Sequence, residues 1–393
     1  MTIPSPAPPD LIYLDHAATA PLCEPARAAI RRGFDLFGNP SSRHGAGQAA
    51  HDALAEARAQ VAALLGCTAE EVVFTGGGSE AINLALQGTF AARDWQGHLV
   101  TTAIEHSAVL ESAAALSRRG VDVTVIGPEP SGHVDPARIA AALRPDTVLV
   151  SVMHANNETG ALQPVDEITA LAHDAGALTH VDAVQTAGKL PIDGLAADLV
   201  SISAHKFGGP KGVGALRLSA RHTLEPLVYG GGQESGRRAG TENLLGVLGM
   251  AGAAAYALEH LDNDLVRASA RRLRKRLVEG LSVVGGVRLN AGYPVVPETV
   301  SVSFDGIRAD TLADVLDMQG ICVSTGSACH AGQDSPSHVL TAMGVPVEQA
   351  KATVRLSFGH GTTAADIDAV VAATVTAVDR LRQVSGTAVS GAS

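Results

Sequence analysis

Between residues 72 and 217 short apolar runs alternate with alanine-rich stretches of helical spacing, and no other feature of the chain constrains its fold as tightly. The runs fall at 71–75, 98–102, 121–126, 147–153, 178–182, 199–203 and 214–218. They are short and rich in Val, Ile, Leu and Thr, as strands covered on both faces are. The alternation predicts an α/β fold: a mainly parallel, seven-stranded sheet flanked by crossover helices. Ligands of such sheets bind beyond the carboxyl ends of the strands, and there the sequence turns polar.

A helical stretch at 244–260 is followed by a charged helical segment at 262–279 and by alternating strands at 300–304 and 352–358, which predict a second, smaller α+β domain. A chain of 393 residues suits two domains. The division expected is a large domain over 15–258 and a small one made of 1–14 with 259–393. The small domain carries a loop of small residues at about 324–337, and its last stretch, about 384–393, lacks any period and is expected to be disordered. With 29 basic and 40 acidic residues, the net charge of −11 argues against a general nucleic-acid or membrane-surface binder. No uninterrupted apolar run reaches the roughly eighteen residues that span a bilayer. The proline-rich start lacks the pattern of a secretory signal, so a cytoplasmic protein is expected. Cys23, Cys67, Cys322 and Cys329 form neither a disulfide framework nor a CxxC pair, so no metal site is expected.

Thr75-Gly76-Gly77-Gly78-Ser79-Glu80 follows a strand and opens a helix, where backbone N–H groups and the helix dipole suit a phosphate. It has neither the P-loop Gly-Lys-Ser/Thr nor the dinucleotide GxGxxG spacing, and a plain tight turn remains open. Asp182 ends one apolar strand, and Lys206, 24 residues on, follows the next. Neighbouring parallel strands would bring this carboxylate and this amine to one edge. Pyridoxal phosphate (PLP) needs that pair: an acid to keep its pyridine nitrogen protonated and a lysine to form its Schiff base. Taken singly, Asp182 could be a helix cap and Lys206 a solvated loop residue.

Several motifs then resemble one family. They are Tyr13-Leu14-Asp15-His16-Ala17-Ala18-Thr19, Asn39-Pro40-Ser41-Ser42, His154-Ala155-Asn156-Asn157-Glu158-Thr159-Gly160, Ala204-His205-Lys206, Gly230-Gly231-Gly232-Gln233-Glu234 and Gly326-Ser327-Ala328-Cys329. In this order, over nearly the whole chain, they resemble the bacterial cysteine desulfurases of nitrogen fixation and iron–sulfur cluster assembly. These are fold-type I PLP enzymes beside the class V aminotransferases, and they act as homodimers.

The resemblance implies that L-cysteine becomes L-alanine while its sulfur passes to Cys329 as a persulfide, for delivery to a protein acceptor. Iron–sulfur clusters, thio-cofactors and nucleic-acid sulfuration would all share this first step, with no direct nucleic-acid contact. It also implies roles for named residues. Lys206 is the Schiff-base lysine, Asp182 pairs with the pyridinium nitrogen, Gln185 hydrogen-bonds the phenolic oxygen, and His106 stacks on the ring. Asn157 contacts the ring and substrate, while Gly78, Ser79, Ser203 and His205 hold the phosphate. Thr241 reaches the phosphate from the second subunit. Arg355, on a strand, grips the substrate carboxylate with paired hydrogen bonds, although an exposed strand arginine is the plain alternative. Cys329 lies in a run of small residues, as expected for a mobile loop, whereas Cys23, Cys67 and Cys322 adjoin apolar segments and are expected to be buried, inert thiols. Ala20 stands where Thr is common in the family and Gln48 where Arg is common. A class V aminotransferase or a selenocysteine lyase would use the same cofactor residues, but the former has no need of Cys329.

Overall fold

The computed structural model describes residues 11–325 and 336–386. From the N-terminus, β1 (Ile12–Tyr13), α1 (Glu24–Gly33) and α2 (Gly45–Leu65) lead into β2 (Val72–Thr75), α3 (Gly78–Ala91), β3 (His98–Thr102), α4 (Ser107–Arg118) and β4 (Asp122–Ile126). The alternation continues through α5 (Pro136–Ala142), β5 (Thr147–Met153), α6 (Val165–Asp174), β6 (Leu178–Asp182), β7 (Leu199–Ser203) and β8 (Gly214–Leu218) to α7 (Leu244–Leu261). Then come α8 (Asp264–Leu281), β9 (Val287–Leu289), β10 (Thr299–Phe304), α9 (Ala309–Asp317), β11 (Ile321–Cys322) and β12 (Ser324–Thr325). Beyond the undescribed segment lie α10 (His338–Ala342), α11 (Val347–Lys351), β13 (Thr353–Ser357) and α12 (Ala364–Ser385).

The first sheet has seven strands in the order β2-β8-β7-β6-β5-β3-β4, and β8 alone runs against the others. Most of its strands are buried along their whole length, which is why they read as unbroken apolar runs. Because β6 and β7 are parallel neighbours, with Asp182 opposite Ser201, the turn carrying Lys206 leaves the sheet beside Asp182. Helix α7 is long and apolar enough to cross a membrane by composition, but it packs on α1 and α2 and buries Leu244, Val247, Met250, Ala254 and Leu261 in the core.

A second core surrounds the antiparallel sheet β12-β13-β10-β9, with Leu277, Val302, Phe304, Leu312, Leu356 and Val378 buried beneath α8, α9 and α12. The chain's first strand belongs here too. β1 pairs in parallel with β11, and Leu14 is fully buried in this second core. Residues Val339, Leu340, Met343, Val345 and Ala350 pack instead with the first core. Helix α12 starts at a Thr363–Asp366 capping box and runs through Val384 and Ser385 to a left-handed cap at Gly386. The helix therefore extends two residues into the stretch expected to lack structure, because its regular turn persists until glycine offers the left-handed cap; residues 387–393 lie outside the described residues.

Candidate active site

The loop after β2 is shaped by glycine. Gly77 has φ of +148°, a conformation side chains resist, and a Cβ on Gly78 would stand 3.0 Å from Val184 Cγ2 and 3.2 Å from Ser203 Cβ. The start of α3, a helix of 14 residues, is thereby pressed against the end of β7 with Ser79 beside it. First-turn N–H groups there have no partner within the helix, and with Ser79 and Ser203 they suit a phosphate.

One cavity of about 320 Å³ gathers what the sequence dispersed: Gly78, Ser79, His106, Asn157, Asp182, Gln185, Ser203, His205, Lys206 and Arg355 all line it. Ala17, Ala18, Met153 and Ala155 complete much of the wall. Lys206 Nζ donates to Ala17 O at 2.7 Å and to Ala18 O at 2.9 Å. These carbonyls come from the segment that follows β1. Asp182 is buried, and its Oδ1 accepts the Val184 N–H at 2.9 Å. Burial pushes its carboxyl up to about 6, against the opposing pull of that N–H and of Lys206. A cation placed beside it would draw it back to the charged form.

His106 caps α4, its Nδ1 accepting the Ala108 N–H at 3.1 Å. Burial, then the charges of Lys206 and His338, lower its pKa, so the ring is neutral near pH 7 and carries its proton on Nε2. His205 Nδ1 lies 3.2 Å from Thr19 Oγ1, and burial takes its pKa down to about 4. Gln185 donates from Nε2 to Ala17 O at 3.0 Å and accepts at Oε1 from Lys189 Nζ at 3.2 Å.

Arg355, in β13, is buried rather than an exposed strand residue. Its Nη1 donates to Asn157 O and its Nη2 to Asp15 Oδ1, each at 2.8 Å, and Nε has no partner among the described residues. Thr241 is exposed and does not line this cavity within the single chain. Cys329 and His330 lie outside the described residues. Cys23, Cys67 and Cys322 are half-buried, not buried as expected, since each sits at an element end with one side open. Partial burial still raises all three thiol pKa values, Cys67 to about 11. Among the described residues no group of His, Cys, Asp or Glu is arranged to hold a metal ion.

The structure adds acids that the sequence did not single out for roles. Asp15 holds Arg355. Glu105, fully buried, accepts from Thr102 Oγ1 at 2.6 Å and from Met153 N at 3.0 Å, and burial lifts it to about 8. Glu158 accepts the Ser337 hydroxyl and is lifted by burial to about 7. Asp15 and Glu158 lie inside motifs already quoted, and their place in those motifs was the available signal.

The donor set fits PLP: an amine, a carboxylate, a neutral imidazole and an amide face one another, with N–H groups and hydroxyls at one end. The class-V aminotransferase family model matches residues 12–370. A cysteine desulfurase IscS of Dictyoglomus turgidum is 39% identical over 95% of this chain and 96% of its own length. A cysteine desulfurase of Cereibacter sphaeroides is 44% identical over 95% of this chain and 97% of its own. The solved structure of a NifS-like protein superposes with a TM-score of 0.86 at 34% identity, covering 96% of this chain and all of the other. The fold, the cavity and this likeness along almost the whole chain agree, and the chain belongs to the PLP-dependent class-V aminotransferase family, among its cysteine desulfurases.

Proposed function

We propose that this enzyme converts L-cysteine to L-alanine and passes the sulfur to Cys329. The observation that carries the reading is the meeting of Lys206, Asp182 and Arg355 around one cavity, from the turn after β7, the end of β6 and the middle of β13. Bound PLP supplies the sink for the electron pair left when the substrate loses its Cα proton. The chain's own residues do the rest.

Arg355 takes the substrate carboxylate, for which its buried guanidinium has both charge and fork geometry. Lys206 Nζ, held at the cavity by the Ala17 and Ala18 carbonyls, would remove the Cα proton. Asp182, buried in the cavity wall, would present its carboxylate to the pyridine nitrogen, and Gln185 would donate to the phenolic oxygen. Gly78, Ser79, Ser203 and His205 hold the phosphate, and Asn157 borders ring and substrate. The Cys329 thiolate attacks the substrate sulfur: the S–S bond forms and the Cβ–S bond breaks, its electron pair staying with the carbon skeleton that becomes alanine. His106 Nε2 carries a proton within the same cavity and serves the departing fragment.

A second copy of the chain belongs to this reading, with Thr241 reaching the partner's phosphate site. Supporting it, Phe34 and Phe37 are exposed at the end of α1, and a Cβ on the neighbouring Gly33 would touch Leu245 of α7, itself part-exposed. A protein sulfur acceptor and a cytoplasmic setting complete the proposal.

The test compares wild type with Cys329→Ala, following alanine and sulfide released from cysteine under reductant. The reading expects both proteins to bind PLP and only the wild type to turn over. Equal sulfide release by both would move the assignment to a lyase that needs no enzyme persulfide.

A further inference from the structure

Lys206 lines two cavities, and Gln185 lines the first of them. This first is the cofactor cavity. The other, about 440 Å³, lies between the two cores and is lined by His16, Lys189, Lys206, Glu298 and His360 among others. Lys189 sits four residues after Gln185 and donates its Nζ to Gln185 Oε1 at 3.2 Å. An ammonium has three N–H donors and no acceptor, so only the carbonyl end of an amide can face it. The opposite end of the amide, Nε2, then points to Ala17 O at 3.0 Å, the same carbonyl that receives Lys206 Nζ at 2.7 Å. Ala17 uses one of the two Nε2 hydrogens, and the other is left for the cavity.

We infer that Lys189 is a positioning residue, whose ammonium locks the Gln185 amide with its N–H end toward the cofactor, so that Gln185 can donate to the cofactor's oxygen and cannot turn its carbonyl there. The inference rests on the proposed contact between Gln185 and that oxygen. Burial works against the charge on Lys189 and brings it down to about 8, while the Glu298 carboxylate across the cavity opposes that fall and Arg355 adds to it. Glu298 Oε2 is buried with no hydrogen-bond partner among the described residues, and although burial raises its pKa, the charge of Lys189, ahead of that of Arg274, pulls it back toward the carboxylate. At neutral pH Lys189 is therefore mostly ammonium, the form that accepts nothing.

The test is a double-mutant cycle on the holoenzyme, read as the midpoint of the pH titration of the bound cofactor's visible band, with the affinity of the apoprotein for PLP measured alongside. A donor to the phenolic oxygen favours its ionised form, so Gln185→Leu should raise the midpoint by about one pH unit. Lys189→Met should raise it comparably and weaken PLP binding several-fold, Lys189→Arg should restore both, and the double variant should shift no further than Gln185→Leu alone. An unchanged midpoint in Lys189→Met overturns the inference. So does a double variant whose shift is the sum of the single ones, which would mean that Lys189 acts by charge without Gln185. If Gln185→Leu itself leaves the midpoint in place, the underlying contact fails and the inference with it. Should Lys189→Met not fold, Lys189→Gln carries the same test, because a neutral amide can present either end to Gln185.

Discussion

Arg355 enters the cavity already engaged, with the Asn157 carbonyl on one nitrogen and the Asp15 carboxylate on another. On the proposed reading, a substrate carboxylate would share the guanidinium with Asp15, and the planar fork allows that where a lysine's point charge would not. Arg355→Lys is expected to raise KM for cysteine by about 10–100-fold with a smaller change in kcat, a split that steady-state kinetics would reveal. Glu158 offers a test of burial. Its pKa is raised by burial from 4.5 to about 7, with Ser337 and Arg355 pulling the other way. A carboxyl whose folded pKa lies above its unfolded value binds its proton more tightly in the native state. Stability it contributes is therefore lost as pH rises from about 4.5 to about 7 and does not return above that. Glu158→Gln removes this slope, so the Tm of the variant minus that of the wild type should climb across the window and then level off. A difference that stays flat would show that Glu158 ionises as freely as in water. Asp182 and Lys206 were readable as a pair because strand ends can be read, whereas His106 was singled out by the resemblance, and the structure brings all three to one cavity. The Asp15–Arg355 and Lys189–Gln185 contacts were not readable: the first joins positions 340 apart, and the second hides in a turn whose four-residue spacing looks like any other.

At the scale of elements, apolar runs located every strand of the first sheet to within a residue: most are covered on both faces and so apolar throughout, while the edge strand β4, partly exposed, mixes Val and Ile with Asp and Thr. Direction was less legible. Side-chain pattern is blind to which way a strand points, so the reversal of β8 emerged only from its pairing with β2 and β7. That strand has a second duty at Gly214, where a Cβ would meet Gly77 C at 2.6 Å and Ile202 O at 2.7 Å. Both obstacles are backbone and cannot step aside. Gly214→Ala should displace the loop proposed to hold the phosphate while leaving the rest of the sheet paired, so the apoprotein should keep its circular dichroism yet bind PLP about tenfold or more weakly, a loss of roughly 1.4 kcal/mol. Unchanged affinity would mean that Gly76–Ser79 adjusts without cost.

For the molecule as a whole, the two cores are not consecutive stretches of chain. Leu14 belongs to the second core, while 339–350 returns to the first. The expectation of a smaller second domain followed from the strands at 300–304 and 352–358, but no local pattern could show that 339–350 packs elsewhere, since apolar periodicity identifies a buried face and not what covers it. Leu14→Ala should cost about 2–5 kcal/mol by leaving a hole in the second core. Because Asp15, Ala17 and Ala18 follow directly, it should also loosen the carbonyls that hold Lys206 and raise the PLP dissociation constant, whereas a purely local defect would lower stability and leave PLP binding intact.

The pairing of β1 with β11 sets a timetable as well as a shape. Ile12 is among the earliest described residues to leave the ribosome, yet its partner Ile321 follows 309 residues later. At about 5–20 residues per second, the first strand waits roughly 15–60 s for its neighbour, long after the seven-stranded sheet has its full complement of strands. The carbonyls of Ala17 and Ala18 are met by Gln185 and Lys206 beside the first sheet, whereas Leu14, His16 and Ala17 bond to Cys322 and Ser357, so the nascent chain can build its sheet early but completes the anchoring of this segment only near the end of synthesis.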